Sequence, residues 1–195
     1  MTALTLDEIN ALDQDHFVAT LGGLFEGPPW ITTSAWSHRP FVSIHALYEA
    51  LCSIMYAAPL ERRIELIQSH PDLAGKAALS GTLGAASTTE QAAAGLNRLT
   101  PDELGLFNSR NATYLQRFGF PFVICARSST KEEILQGFAE RLEHSRDEEI
   151  QIALEEIAKI CALRLDDLCG AERGRLQARS IDNPGESHGA SGRRV

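Results

Sequence analysis

The chain has 195 residues, of which 44% are hydrophobic, and its formal net charge is -8. This length and composition suit one globular domain with a hydrophobic core. The acidic balance argues against a nucleic-acid-binding surface, which needs a basic face. No apolar run approaches the roughly 18 residues that cross a bilayer, and the N-terminal segment lacks the basic region of a secretory signal. We therefore expect a cytoplasmic protein that binds neither nucleic acid nor membrane.

Helical signals dominate the first seventy residues. Thr5-Leu6-Asp7-Glu8 forms a capping box that opens the first helix, and a second helix fits residues 15–24. The segment 30–41 contains two Trp and no clear period, so we predict a packed loop there. Residues 43–57 carry apolar side chains at helical spacing. Pro59 then suits the start of the next helix, which should end near residue 69.

The second half continues the helical pattern with one exception. Ser87-Thr88-Thr89-Glu90 reads as a capping box, and Thr100-Pro101-Asp102-Glu103 opens a longer helix that Gly119 closes. Residues 120–126 form the only strand-like run, and without a partner strand they should be an extended buried segment. Two more helices are expected at 131–143 and 147–168.

The sum of these elements predicts an all-α fold. We expect a single compact domain of about seven or eight helices over residues 1–172. Residues 181–195 contain almost no apolar side chain, so the predicted mobile C-terminal tail covers 173–195.

The four cysteines do not indicate a metal site. Cys52, Cys125, Cys161 and Cys169 lie in predicted helices or an apolar stretch, with no C-x-x-C pair and no His at zinc-ligand spacing. They are best interpreted as buried thiols, with neither metal nor disulfide.

Several polar residues are candidates for chemistry, although each also has an ordinary structural explanation. His70 precedes Pro71 at a predicted helix end, where it could bond the last carbonyls or be favoured as an imidazolium. Ser87 and Glu90 could simply cap a helix, and Gln91 alone is an unremarkable surface amide.

Arg164 lies on or beside the apolar stripe of the last helix, next to Cys161 and Leu165. A desolvated guanidinium needs an anion; a pair with Asp167 or a snorkelling side chain would also explain it. Taken together, an imidazole, a carboxylate, an amide, a hydroxyl and a guanidinium suit a small polar anion that undergoes proton transfer.

Six stretches of the chain resemble one family, over roughly residues 6–168. They are His70-Pro71-Asp72-Leu73, the small-residue loop after it, Ser87 with Glu90-Gln91, Ala94-Gly95-Leu96, the run Phe118 to Ile124, and Leu163-Arg164-Leu165-Asp166-Asp167-Leu168. This order and spacing are similar to those of 2-oxo-4-hydroxy-4-carboxy-5-ureidoimidazoline (OHCU) decarboxylases.

The resemblance implies an all-helical homodimer that forms (S)-allantoin from OHCU in urate degradation, without metal or organic cofactor. It implies that His70 is the catalytic acid, aided by Glu90 and Arg164. The substrate-binding residues that it implies are Pro71, Ser87, Thr88, Thr89, Glu90, Gln91, Phe122, Val123, Ile124, Cys125, Ala126 and Arg164. An unstable substrate would also favour coupling to urate oxidase and hydroxyisourate hydrolase.

Two other functions remain open at this point. One is a different lyase or amidohydrolase on the same helical frame, because a fold does not fix a substrate. The other is a non-catalytic helical module that binds a metabolite or a protein partner, although such a module has no need to bury Arg164.

Overall fold

The computed structural model describes residues 3–75, 78 and 80–170, and this part of the chain is helical with no strand. The predicted all-α fold is confirmed, with nine α-helices in the described residues. They are α1 Leu6–Ala11, α2 Gln14–Leu21, α3 Trp30–Ala35, α4 Ile44–Ala57, α5 Leu60–Gln68, α6 Ala85–Ala93, α7 Pro101–Phe118, α8 Lys131–Arg141 and α9 Arg146–Cys169. The domain boundary at 172 and the tail 173–195 lie outside the described residues.

Most helix boundaries follow from local capping. Thr5, Thr100, Thr130 and Ser145 each form a full capping box at the start of α1, α7, α8 and α9. At the end of α7, Gly119 takes a left-handed conformation with φ +81° and its N–H donates to the carbonyl of Leu115. The predicted helix starts at Thr5 and Thr100 and the predicted end at Gly119 are confirmed, because these signals act over only three or four residues.

The prediction of a loop at 30–41 is wrong. Residues Trp30–Ala35 form α3, and Trp36–His38 continue it as a 3₁₀ turn. The helix packs against α2 and α4, with Ile31 and Ala35 buried. Its six residues are too few to display a helical period, so tertiary packing rather than local pattern decides its structure.

The longest helix, α9, is the central element of the fold. It packs against α4, α5 and the 3₁₀ turn Gly22–Leu24. Its predicted apolar stripe is confirmed, since Ile150, Leu154, Ile157, Cys161 and Leu165 are buried and Leu168, the last member, is partly buried against the core. None of the described helices is both long enough and apolar enough to span a membrane.

Residues 120–126 form the extended buried segment that the sequence predicted. The backbone at Pro121–Cys125 has no regular secondary structure, and Phe120, Phe122 and Cys125 are buried. Two side chains bond backbone groups of the segment: Arg141 Nη1 donates to the Val123 carbonyl at 2.8 Å, and the Cys125 N–H donates to Glu156 Oε2 at 2.8 Å. Side chains thus take the place of a partner strand at these two buried groups.

Candidate active site

A half-open cavity lies between the end of α5, α6, α9 and the extended segment. It contains about 370 Å³ of empty space, its solvent-filled mouth included. The polar residues that line it are His70, Ser87, Glu90, Gln91 and Arg164; the apolar ones are Pro71, Leu73, Phe122, Val123, Ile124, Ala126 and Ile160. A largely apolar cavity with a few converging polar groups is the usual form of a small-molecule site. The five polar residues singled out in the sequence are thus together.

His70 follows the end of α5, as the proline after it predicted. Its Nδ1 lies 2.9 Å from the Leu66 carbonyl oxygen, so Nδ1–H donates to the last turn of the helix. Within the described part of the chain, its Nε2 is buried and has no hydrogen-bond partner. Nε2 is therefore the ring nitrogen that remains for a molecule bound in the cavity.

Of the two interpretations of His70 left open by the sequence, the bond to a carbonyl of the last helical turn is the one present in the structure. Burial lowers the pKa of His70, and the positive charge of Arg164 acts in the same direction, against Glu26 and Glu90. The lowered pKa favours the neutral ring, in which Nε2 carries a lone pair. The hydrogen bond to the Leu66 carbonyl favours the imidazolium, but burial has the larger effect on the pKa.

The helix α6 divides residues 87–91 into two faces. Ser87, Glu90 and Gln91 are buried toward the cavity, whereas Thr88 and Thr89 are exposed. The two threonines bond back to the carbonyls of Gly84 and Ala85, and neither lines the cavity. Side chains three and four residues apart lie on one face of a helix. Three of the five predicted residues, Ser87, Glu90 and Gln91, therefore face the cavity.

The prediction of a capping box at Ser87–Glu90 is wrong. The helix starts three residues earlier than predicted, with Gly84 instead of Ser87 at its N-cap and Ala85 as its first residue. Both side chains make tertiary contacts instead of caps: Ser87 Oγ donates to Glu26 Oε1 at 2.7 Å, and Glu90 pairs with Arg164. A buried guanidinium needs a carboxylate more than an exposed helix terminus needs a side-chain cap.

Arg164 is held by two carboxylates rather than by Asp167. Its Nε and Nη2 each lie 2.8 Å from an oxygen of Glu90, and Nη2 lies 3.0 Å from Glu26 Oε1. Its Nη1 donates to the carbonyl of Gly23 at 3.1 Å. Asp167 is instead paired with Arg127. The paired geometry fixes the Glu90 carboxylate beside the cavity.

The charges explain why this buried cluster is stable. Burial on its own would lower the pKa of Arg164, but the hydrogen bonds and charges of Glu90 and Glu26 outweigh it and raise that pKa. Burial would likewise raise the pKa of Glu26, but Ser87 and Arg164 outweigh it and lower that pKa. The guanidinium and the Glu26 carboxylate therefore stay ionised inside the protein.

Gln91 holds the loop that follows His70. Its Oε1 accepts from the Ala74 N–H at 2.9 Å, and its Nε2 lies 3.3 Å from the Asp72 carbonyl. Asn111 adds a third bond, from Nδ2 to the Leu73 carbonyl at 2.8 Å. Gln91 thus positions the Pro71 and Leu73 side of the cavity as well as lining it.

The extended segment supplies the apolar wall. Phe122, Val123, Ile124 and Ala126 line the cavity, as the resemblance implied, but Cys125 does not. Its Sγ instead lies 3.4 Å from Ser128 Oγ.

The sequence missed three residues of this region. Ile160 lies four residues before Arg164 on the same face of α9, a spacing that could have indicated it. Leu73 ends the His70-Pro71-Asp72-Leu73 motif but is not among the predicted substrate-binding residues. Glu26 lies in the Phe-Glu-Gly-Pro-Pro turn between α2 and α3, where no period or cap gives a signal.

No metal centre accompanies the cavity in the part of the chain that the structure covers. Among those residues, no three His, Cys, Asp or Glu side chains are arranged to hold a metal ion. All four cysteines are buried thiols, as predicted. Burial raises the pKa of Cys125 and of Cys161, so neither thiol is activated.

Known proteins share both the sequence and the fold of this chain. The sequence profile of OHCU decarboxylase matches residues 10–166. An Amia calva protein named 2-oxo-4-hydroxy-4-carboxy-5-ureidoimidazoline decarboxylase is 41% identical, over 89% of this chain and 100% of that protein. A longer Bacillus subtilis protein, named uric acid degradation bifunctional protein PucL, is 36% identical over 94% of this chain and 36% of that one.

The fold agrees with these sequence matches. A crystal structure described as (S)-allantoin synthase superposes with a TM-score of 0.67 and 26% identity, over 84% of this chain and 54% of that one. The profile match covers most of the chain, and four of the six stretches that carried the resemblance contribute residues to the cavity. This chain belongs to the OHCU decarboxylase family.

Proposed function

We propose that this protein decarboxylates OHCU to (S)-allantoin, with His70 as the group that moves the proton. The observation that carries the proposal is the buried Nε2 of His70, which has no partner among the described residues and belongs to a cavity-lining ring. A neutral imidazole in this position can first accept a proton and then donate it. His70 would thus act as a base in one step and as an acid in the next.

The proposed reaction needs no electron sink beyond the substrate. The bond between the ring carbon and the carboxylate breaks and releases CO₂, and its electron pair forms a ring C=C bond. The pair of the adjacent C=N bond moves onto the ring nitrogen, which takes a proton from solvent. His70 Nε2 then takes the proton of the enol hydroxyl and delivers it to the carbon that bears the ureido group. One proton is consumed per turnover.

The other cavity residues supply orientation. The Glu90 carboxylate, fixed by Arg164, is an acceptor for the ureido or ring N–H groups, and Ser87 and Gln91 border the same region. The apolar side chains of Phe122, Ile124 and Ile160 form a wall beside them. Apolar surroundings disfavour a charged carboxylate relative to neutral CO₂, so this wall favours the carbon–carbon cleavage.

The setting of the enzyme is also part of the proposal. We propose a cytoplasmic homodimer that works without metal or organic cofactor. We also propose functional coupling to urate oxidase and hydroxyisourate hydrolase. A longer relative whose name describes bifunctional uric acid degradation supports coupling to another step of that degradation.

The test generates OHCU in place from urate with those two upstream enzymes and follows circular dichroism after this protein is added. We expect rapid growth of the signal of a single allantoin enantiomer. Spontaneous decay should give racemic product and a weak signal, and the same protein after heat inactivation serves as the control. A trace that matches spontaneous decay would refute the proposed function.

A further inference from the structure

We propose that Glu26 is a positioning residue of this site, a role that deepens the proposed function and rests on it. Glu26 does not line the cavity. It contacts two residues that do: its Oε1 accepts from Ser87 Oγ at 2.7 Å and from Arg164 Nη2 at 3.0 Å. One carboxylate oxygen therefore fixes a hydroxyl on α6 and a guanidinium on α9.

The geometry extends this influence to Glu90. Arg164 Nη2 donates both to Glu26 and to Glu90 Oε2, so the position of the guanidinium depends on both carboxylates. Loss of Glu26 would leave Nη2 with one anionic partner and Ser87 with no anionic acceptor. The guanidinium and the Glu90 carboxylate could then rotate together, away from the geometry that the substrate requires.

The backbone holds Glu26 rigidly against the end of α5. Gly27 has φ +79°, and a Cβ at that position would lie 2.9 Å from the Cβ and Oγ of Ser69. This close approach is open only to glycine. Since Ser69 immediately precedes His70, the turn that carries Glu26 and the helix end that carries the imidazole form one packed unit.

Electrostatics adds a second effect of Glu26 on the site. His70 faces three charged side chains, Glu26, Glu90 and Arg164. The negative charge of Glu26 favours the protonated imidazole and opposes the effect of burial on the pKa of His70. Removing that charge should lower the pKa of His70 further. The proposed reaction starts from the neutral ring, so the acidic limb of the kcat/KM profile should move to lower pH.

The experiment compares Glu26→Ala and Glu26→Gln with the wild type in the coupled OHCU assay. We expect kcat/KM to fall about 10- to 100-fold in Glu26→Ala, in line with the loss of a group that orients reacting partners. In Glu26→Gln the amide oxygen can still accept from Ser87 and Arg164, so activity should be largely restored, with the acidic limb displaced to lower pH.

A matched control is Glu103→Gln, which removes a carboxylate that pairs with Lys131 and does not line the cavity. It should leave kcat/KM and the pH profile unchanged. A purely structural role for Glu26 would lower the Tm of Glu26→Ala but leave kcat/KM of the folded protein and the pH profile as in the wild type. That result would overturn the proposal.

A readout independent of turnover separates this proposal from the proposed function. The Nε–H of Arg164, which donates to Glu90, gives a signal in a ¹H–¹⁵N spectrum that can be assigned by its absence in Arg164→Lys. Shift or broadening of this signal in Glu26→Ala, but not in Glu103→Gln, would support the positioning role even if the wild type fails to turn over OHCU. An unchanged signal would refute it.

Discussion

Two buried arginine clusters in this protein resemble each other closely, yet only one of them belongs to the cavity. In the cavity cluster Arg164 pairs with Glu90 and Glu26. In the core cluster Arg141 of α8 pairs with Glu149 of α9, donates to the Val123 carbonyl, and contacts Tyr114. Both have a guanidinium less than a tenth exposed and at least one carboxylate.

The two clusters differ in whether the buried polar atoms beside them have hydrogen-bond partners. Every polar side-chain atom that the core cluster buries has a hydrogen-bond partner. Glu149 Oε1 accepts from His144, and Glu149 Oε2 accepts from Tyr114. The guanidinium of Arg141 also stacks 4.3 Å from the ring of Phe122. The cavity cluster instead borders empty space and the unpartnered Nε2 of His70. An ion pair alone does not identify a site, whereas an unpartnered polar atom beside a cavity does.

The largest expected effect tests that unpartnered nitrogen. His70→Ala should lower kcat/KM by about 10²–10⁴-fold, the usual contribution of a general acid or base. The fold should be kept, as measured by far-UV circular dichroism. The matched variant is His45→Ala, because His45 also has a ring nitrogen without a partner among the described residues but lies outside the cavity. Equal losses of kcat/KM in both variants would show that a place in the cavity does not distinguish His70 from His45.

The next test exchanges the carboxylate in each cluster. Glu149→Gln should destabilise the protein by about 3 kcal/mol, because an amide leaves the buried Arg141 guanidinium uncompensated. Glu90→Gln should destabilise it less, because Arg164 keeps its ion pair with Glu26. Only Glu90→Gln should also lower kcat/KM, by about 10²-fold. Urea denaturation and steady-state kinetics measure the two effects separately. A similar loss of activity in Glu149→Gln would mean that the core cluster controls the site through Val123.

A smaller effect follows from the buried neutral imidazole. Burial lowers the pKa of His70 below its ordinary value of 6.5, so the unfolded chain takes up this proton at a higher pH than the folded one. The associated stability is present above pH 6.5 and is lost as the pH falls toward the folded-state pKa, by at most about 1.4 kcal/mol per pH unit. Urea unfolding at several pH values should show this slope in the wild type and a weaker one in His70→Asn. Equal slopes would contradict the assignment of a neutral ring.

The smallest effect concerns the exposed face of α6. Thr88→Ala should change kcat/KM less than twofold and the free energy of unfolding by no more than about 0.5 kcal/mol, since its side chain bonds only the carbonyl of Gly84. Ser87→Ala, one residue earlier on the buried face, is the matched comparison and should lower activity. A marked loss in Thr88→Ala would show that the substrate reaches beyond the cavity described here.

The local signals in the sequence were reliable where a few residues decide the outcome. The capping boxes at Thr5 and Thr100 set helix starts because donor and acceptor lie three residues apart. The same kind of signal misled at Ser87. There, a partner 61 residues away in the chain competes for the hydroxyl, and no local rule detects it.

By itself, the sequence determined the all-α class, the buried position of Arg164 and the helix end at His70, because periodicity, caps and proline act within a few residues. Only the tertiary structure decided what these groups do. It paired Arg164 with Glu90 across 74 residues and with Glu26 across 138, and it buried His70, which lowers the pKa of its ring. Desolvation and ion pairing depend on which elements meet in space. The turn that carries Glu26 has no capping or periodic signal in the sequence, and its role depends on the tertiary contacts that it makes with Ser87 and Arg164.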